Sequence, residues 1–85
     1  MRLTLMFREY CSLCHQMQAA LQPYQAQYGF ALDVVDVDAD AALEAKYNEL
    51  VPVLLHGEVE ICHWHLDEAA LQAFLAQHSI VPCNG

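Results

Sequence analysis

The most informative segment of the chain reads Phe7-Arg8-Glu9-Tyr10-Cys11-Ser12-Leu13-Cys14. An apolar run over residues 2–7 precedes it and predicts a strand that ends in a short loop. From Ser12 onward, apolar residues recur every three or four positions, which predicts an amphipathic helix ending at Gly29. Pro23 inside this pattern predicts a kink or an early stop. The Cys-x-x-Cys pair is therefore expected where a strand leads into a helix.

Two cysteines at such a junction suggest thiol–disulfide chemistry. The unpaired N–H groups and the dipole of a helix N-terminus favour a thiolate, which is the reactive form of cysteine. Cys11 is expected at the helix start, and Cys14 one turn further along the same side. We expect Cys11 to attack a substrate disulfide and Cys14 to resolve the mixed disulfide. An inactive pair of core cysteines and one half of a zinc site are the alternatives.

The rest of the chain predicts a single α/β domain over residues 1–85. Runs rich in β-branched residues predict strands, and stretches with helical spacing predict helices. The order βαβαββα predicts a four-stranded mixed sheet with three helices, in which a parallel βαβ unit precedes a hairpin and a covering helix. The further predicted strands are 30–37, 50–55 and 59–63, and the further predicted helices are 40–47 and 67–78.

The charge balance disfavours two classes of partner. Eleven acidic residues face three basic ones, which gives a formal net charge of −8. Such a chain repels nucleic acids and anionic membrane surfaces, so neither is expected as a partner. The first eight residues are interrupted by charge and lack a secretory cleavage pattern, which predicts a cytoplasmic protein.

Four residues near the cysteines are candidates for substrate binding. Arg8 places a positive charge beside the helix start, where it favours a thiolate and could hold a substrate carboxylate; a solvated loop charge is the alternative. Tyr10 could wall the site, or be an ordinary surface aromatic. Pro52 opens a predicted strand although proline cannot donate to a sheet. A cis Val51–Pro52 bond would leave the N–H and C=O groups of Val51 able to pair with an extended substrate; an ordinary trans proline is the alternative.

Together these motifs resemble the glutaredoxin and thioredoxin superfamily, and most closely its small bacterial glutaredoxin-like proteins. The resemblance covers essentially the whole chain, which predicts a thioredoxin-like fold. The matching segments are C-x-L-C at Cys11–Cys14, D-V-D-A-D at Asp36–Asp40, P-V-L-L at Pro52–Leu55, and L-D-E-A-A-L at Leu66–Leu71.

The resemblance implies a role for each candidate residue. Cys11 would be the attacking thiol, Cys14 its partner, and Pro52 a cis proline. The other implied positions are Val51 as a backbone contact for substrate, Arg8 in place of a glutathione-binding lysine, and Asp67 as a further substrate contact as well as a helix cap. Protein or small-molecule disulfides would be the partners, glutathione a candidate co-substrate, no cofactor would be required, and the protein would act as a monomer.

The chain departs from the family pattern at two places, and other functions stay open. Ser12-Leu13 replaces the Pro-Tyr pair of dithiol glutaredoxins, and His63-Trp64-His65 replaces a Gly-Gly turn that lets glutathione approach. A zinc or iron–sulfur module and a redox-inactive adaptor are the alternative functions. A zinc site would draw on Cys11, Cys14, Cys62, His63 and His65. Otherwise we expect Cys62 to be a core thiol and Cys83 an exposed one.

Overall fold

The computed structural model describes residues 1–82, so the expectation for Cys83 lies outside the described residues. The described part contains four strands and three α-helices in the order βαβαββα, which confirms the predicted fold class. In chain order they are β1 (Arg2–Phe7), α1 (Ser12–Tyr28), β2 (Ala31–Asp36), a short 3₁₀ turn (Val37–Ala39), α2 (Ala41–Tyr47), β3 (Val53–His56), β4 (Val59–His63) and α3 (Glu68–Gln77).

The strands form one mixed sheet in the order β2-β1-β3-β4. β1 runs parallel to β2 and antiparallel to β3, and β3 runs antiparallel to β4. In this register Val53 lies opposite Met6 on one side and opposite His63 on the other. The loop after β1, the residues before β3 and the turn after β4 therefore meet at the same end of the sheet.

One cluster of apolar side chains holds the helices against this sheet. Its members are buried, and full burial of an aliphatic side chain contributes about 1.5–3 kcal/mol to folding. The cluster joins strand residues to α1 and α3 and includes Cys14, while the partly buried Cys11 packs against it. It consists of Leu3, Leu5, Met6, Phe7, Cys14, Met17, Leu21, Phe30, Val37, Val51, Val53, Leu54, Leu55, Cys62, Leu71 and Leu75.

Helix α1 begins and ends at the predicted residues. Cys11 is its N-cap, and Gly29 ends it in the left-handed region at φ 75°, where glycine carries no Cβ penalty. Of the two outcomes expected from Pro23, the early stop is wrong, because the helix continues to Tyr28. Pro23 is exposed, so the carbonyl group that it leaves unpaired can face water. Among residues 1–82 no helix combines the length and apolar character needed to cross a bilayer.

Two predicted strands are shorter than expected at their ends. β2 loses Val37 to the 3₁₀ turn that follows it. β3 begins at Val53 rather than at Leu50, because the Leu50 and Val51 N–H groups both donate to the Tyr47 carbonyl, at 2.9 and 3.1 Å, and extend the last turn of α2. The residues before β3 are consequently fixed by α2 and not by the sheet.

Candidate active site

Cys11 occupies the N-cap of α1, where the chain leaves the loop after β1. Its Sγ atom accepts a hydrogen bond from the Cys14 N–H at 3.2 Å, in the manner of a capping side chain. Its carbonyl oxygen accepts from the Cys14 and His15 N–H groups at 3.1 and 3.3 Å. The Cys11 side chain is only partly buried. An incoming disulfide can therefore approach this sulfur, while the helix N-terminus donates to it from behind.

Cys14 lies behind Cys11 in the core. It is fully buried, and its thiol, like that of Cys11, is not joined to another cysteine. Burial, reinforced by the adjacent Cys11 thiol, raises the pKa of Cys14 to about 12, although the backbone and charge of Arg8 oppose the rise. The two thiols thus differ in both exposure and surroundings. Cys11 is the accessible member of the pair, and Cys14 is a protected thiol within reach of it.

Arg8 is adjacent to the cysteines, but its guanidinium group is fully engaged. The Arg8 carbonyl accepts the Cys11 N–H at 3.1 Å. The side chain turns to Asp38, with Nε 3.0 and 3.2 Å from the two carboxylate oxygens and Nη2 3.0 Å from Oδ1. It also donates to Asn48, through Nη2 to Oδ1 at 2.9 Å and Nη1 to the carbonyl oxygen at 3.4 Å. The expected positive charge is present, and Asp38 compensates it.

Tyr10 projects from the same loop into solvent. Its side chain is 79% exposed, the highest exposure among the large apolar residues described. The Arg8 guanidinium carbon lies 5.6 Å from the centre of the Tyr10 ring, a cation–π geometry. A hydrogen bond with Asp38, together with its negative charge, raises the pKa of the Tyr10 hydroxyl. Tyr10 therefore stands beside Cys11 as an exposed aromatic, anchored by Arg8 and Asp38.

The residues before β3 match one part of the expectation and correct another. The Val51–Pro52 peptide bond is cis. The Val51 N–H group, expected to be available to substrate, donates instead to Tyr47 at 3.1 Å, because α2 ends directly before it. Among residues 1–82 no hydrogen bond reaches the Val51 carbonyl oxygen. Of the two backbone groups proposed to bind substrate, the carbonyl alone is unpaired within the described residues.

The segment His63-Trp64-His65 forms a tight turn beside Pro52. The Trp64 backbone has φ 66°, a region uncommon for bulky residues, and the His65 N–H donates to the His63 carbonyl at 2.8 Å across it. The Trp64 N–H donates to the Pro52 carbonyl at 2.8 Å, and its indole Nε1–H donates to the Glu49 carbonyl at 2.9 Å. Two hydrogen bonds from Trp64 thereby join this turn to the first and last residues of the segment 49–52, which precedes β3.

Asp67 and Cys62 lie further along the same part of the chain. Asp67 is the N-cap of α3, and its Oδ1 accepts the Ala70 N–H at 3.0 Å, which is the capping role expected from the sequence. Cys62 is 8% exposed, in agreement with a core thiol, and its burial raises its pKa. The role of Asp67 as a substrate contact stays a prediction.

The set of metal ligands considered from the sequence does not assemble in this fold. Within residues 1–82, no three side chains of His, Cys, Asp or Glu converge in an arrangement that could hold an ion. Cys11 and Cys14 are at the start of α1, whereas His63 bonds Glu60 at 3.0 Å on β4. A zinc site built from one chain therefore finds no support in the described geometry.

Sequence reasoning missed Asp38 and Asn48 as neighbours of the site. Asp38 lies between two helix caps, because Asp36 and Asp40 accept bonds from backbone N–H groups at the starts of the 3₁₀ turn and of α2. Asp38 is 30 positions from Arg8, and Asn48 is 40 positions from it. No local sequence pattern marks residues so far apart. The one available signal was the single basic residue in the loop before Cys11, because a partly buried guanidinium usually has an acidic partner.

Comparison with known proteins agrees with the architecture. Residues 2–76 match the family described as Glutaredoxin-like domain (DUF836). Protein Ne2328 from Nitrosomonas europaea is 36% identical with a TM-score of 0.75, over 86% of this chain and 88% of that one. Protein XcR50 from X. campestris is 39% identical with a TM-score of 0.70, over 88% of this chain and 96% of that one.

A more distant likeness identifies the fold. The oxidised thioredoxin of Plasmodium falciparum is 17% identical, with a TM-score of 0.58 over 91% of this chain and 79% of that one, and it shares the fold alone. The four-stranded sheet and three helices are accordingly a thioredoxin-like fold. Because the family match spans nearly all of the described residues, this chain belongs to the glutaredoxin-like domain family (DUF836).

Proposed function

We propose that this protein is a thiol–disulfide oxidoreductase in which Cys11 attacks a disulfide and Cys14 resolves the mixed disulfide. The observation that carries the proposal is the arrangement of the two sulfurs at the start of α1. Cys11 Sγ is accessible and accepts the Cys14 N–H at 3.2 Å, and Cys14 is buried directly behind it. A helix N-terminus favours the negative charge that an attacking thiolate carries.

The reaction divides into two exchanges. In the first, the Cys11 thiolate bonds to one substrate sulfur, the substrate S–S bond breaks, and the other substrate sulfur leaves as a thiolate that takes a proton from water. In the second, Cys14 releases its proton to water and attacks Cys11 Sγ, and the remaining substrate sulfur leaves. The protein pair has then lost two electrons to the substrate and holds a Cys11–Cys14 disulfide.

The second exchange is the slower one in this proposal. Burial raises the pKa of Cys14 to about 12, so its thiolate is scarce at neutral pH. We therefore expect the mixed disulfide on Cys11 to accumulate before Cys14 resolves it. The proposal requires no bound cofactor, because the two thiols carry both electrons.

The remaining expectations from the sequence belong to the same proposal. The substrates are protein or small-molecule disulfides, with glutathione as a candidate co-substrate, and the protein acts as a monomer. A cytoplasmic location suits this chemistry, because a reducing compartment returns the pair to the dithiol form. Arg8, Tyr10, Val51, Pro52 and Asp67 are the proposed substrate-binding residues.

The test is a redox titration of the cysteine pair in buffers of reduced and oxidised dithiothreitol. Alkylation of the remaining thiols and mass spectrometry locate the disulfide at each potential. We expect a reversible bond between Cys11 and Cys14. In the Cys14→Ser variant a disulfide substrate should stay attached to Cys11, and the Cys11→Ser variant should form no mixed disulfide. Cys62→Ser is the matched control, which should behave as the wild type.

One outcome would contradict the proposal directly. If Cys11 resists alkylation in the native protein and no reversible Cys11–Cys14 bond forms at any potential, the protein is not an oxidoreductase of this type. Bound zinc or an iron–sulfur chromophore in the purified protein would then favour the metal-binding alternative. The absence of both would favour the redox-inactive adaptor.

A further inference from the structure

Arg8 is the only basic residue in the loop that leads to Cys11, and its charge acts on the Cys14 thiol. Of the three basic residues in the chain, Arg2 is at the start of β1, where it bonds Asp33 at 2.7 Å, and Lys46 lies over the Tyr47 ring in α2. Arg8 alone influences the pKa of Cys14 among them. Any anionic group that approached Cys11 would meet Arg8 as its nearest cation in the loop.

That cation is held by two residues from outside the loop. All three guanidinium nitrogens donate, to Asp38 and to Asn48, and the Arg8 side chain is 14% exposed. A carboxylate partner at 3.0 Å neutralises most of the field of a guanidinium at longer range. A substrate anion would have to displace Asp38, which is itself part of the folded structure after β2. The guanidinium donors of Arg8 are therefore occupied by Asp38 and Asn48 in the fold.

The backbone donors beside Pro52 are also in use. The Val51 N–H donates to Tyr47, and the Trp64 N–H donates to the Pro52 carbonyl. The N-terminus of α3 is capped by the Asp67 carboxylate, which places a negative charge where that helix would otherwise favour an anion. The Arg8 guanidinium, the backbone donors beside Pro52 and the start of α3 are thus all engaged by groups of the protein itself.

We propose that Asp38 is a specificity-determining residue, which binds the Arg8 guanidinium and thereby makes the Cys11 site discriminate against anionic disulfides in favour of neutral or cationic ones. The inference rests on the proposed function, because it concerns which disulfide Cys11 attacks. Within the proposed substrates, a small anionic disulfide such as glutathione disulfide is then a slow one, and a disulfide in an uncharged or basic polypeptide segment is the preferred class. The net charge of −8 acts in the same direction.

The reaction itself is unchanged by this preference. The dithiol form of the protein and one substrate disulfide give the Cys11–Cys14 disulfide and two substrate thiols, and no other reductant enters a single turnover. The charge of the substrate affects its approach to Cys11 and not the bonds that form and break. A single-turnover rate at low substrate concentration therefore reports the discrimination.

The test uses two probes of matched shape, glutathione disulfide and the same disulfide with its glycyl carboxylates converted to methyl esters. Reduced protein is mixed with each probe at low salt, quenched with N-ethylmaleimide, and analysed by mass spectrometry for the Cys11–Cys14 bond. Because charge effects on association decrease with ionic strength, we expect the wild type to react at least about fivefold faster with the ester, and this ratio to shrink in high salt.

Three variants assign the effect to Asp38. Asp38→Asn, which preserves the side-chain shape, should raise the rate with glutathione disulfide about tenfold by releasing the Arg8 charge. In the double variant Arg8→Gln/Asp38→Asn that gain should disappear. Glu58→Gln, in the β3–β4 turn at the other end of the sheet, makes the same change in net charge and should leave the ratio of the two rates as in the wild type.

The outcomes separate this inference from the proposed function. Equal rates of the wild type with both probes overturn the inference alone, and this comparison needs no variant to fold. A gain that persists in the double variant, or appears equally in Glu58→Gln, overturns the role of Asp38. If neither probe yields a Cys11–Cys14 bond and the dithiothreitol titration also fails, the proposed function is wrong and the inference fails with it.

Discussion

The indole Nε1–H of Trp64 donates a hydrogen bond to the carbonyl oxygen of Glu49 at 2.9 Å. This bond joins the turn after β4 to the segment between α2 and β3, two parts of the chain that flank Pro52. The Trp64 N–H donates to Pro52 at the same time, so one residue holds both ends of the segment. The segment before β3, at the end of the sheet where β1 leads to Cys11, is therefore fixed by a tryptophan that is itself 48% exposed.

Replacing Trp64 with Phe should weaken this connection. The variant keeps an aromatic ring but loses the donor to Glu49, and a hydrogen bond of this kind contributes about 0.5–1.5 kcal/mol to the free energy of unfolding. Urea denaturation of the wild type and the variant measures this loss of free energy as a lower midpoint, with the dependence of the free energy on urea concentration unchanged. Identical midpoints would show that the bond contributes nothing to stability.

Backbone strain at Trp64 gives a second prediction. With φ at 66°, any residue with a Cβ atom is disfavoured at this position by roughly 1–2 kcal/mol, and glycine is not. Trp64→Ala and Trp64→Gly both remove the indole, so their difference isolates the strain. We expect Trp64→Gly to be the more stable of the two by about 1 kcal/mol in urea denaturation. If Trp64→Ala is the more stable variant, the turn does not hold the left-handed conformation.

Two substitutions of Asp67 can separate its role as a helix cap from its proposed role as a substrate contact. Asp67→Ala removes the cap of α3 and should lower the free energy of unfolding by about 1 kcal/mol, whereas Asp67→Asn keeps a capping oxygen and should lose little. If Asp67 also contacts substrate, Asp67→Asn should change the rate of disulfide reduction at unchanged stability. Equal rates for Asp67→Asn and the wild type would leave Asp67 with the capping role alone.

The features of this protein that were predictable from its sequence are local ones. The helix start at Cys11, its end at Gly29 and the cap at Asp67 depend on residues within one turn of each other, and each is found where it was expected. Local spacing also brought Cys14 to the side of Cys11, because one turn of helix separates them. Together with the apolar runs that predict the strands, these positions predict the order of elements and the place of the cysteine pair.

The features that were missed depend on contacts between distant parts of the chain. Arg8 meets Asp38 across 30 positions, and Trp64 meets Glu49 across 15, and no periodic pattern marks either pair. The Val51 N–H was expected to be available because a cis Val51–Pro52 bond would leave it able to pair with an extended substrate. That N–H donates instead to the Tyr47 carbonyl in the last turn of α2. The sequence pattern does not show this bond, because it depends on the residue at which the helix ends.

The buried thiol of Cys14 predicts how stability depends on pH. Burial raises its pKa from 9.0 to about 12 in the folded protein, so between these values the folded chain keeps a proton that the unfolded chain loses. The stabilising contribution of this thiol is fully present below about pH 9 and is lost as the pH rises towards 12. The urea midpoint of the wild type, measured with a non-thiol reductant present, should therefore fall more steeply over this range than that of Cys14→Ala. The comparison uses slopes, because the cavity in Cys14→Ala lowers its stability at every pH. Parallel slopes would show that Cys14 ionises equally well in the folded and unfolded chains, and that it is not the protected partner of Cys11.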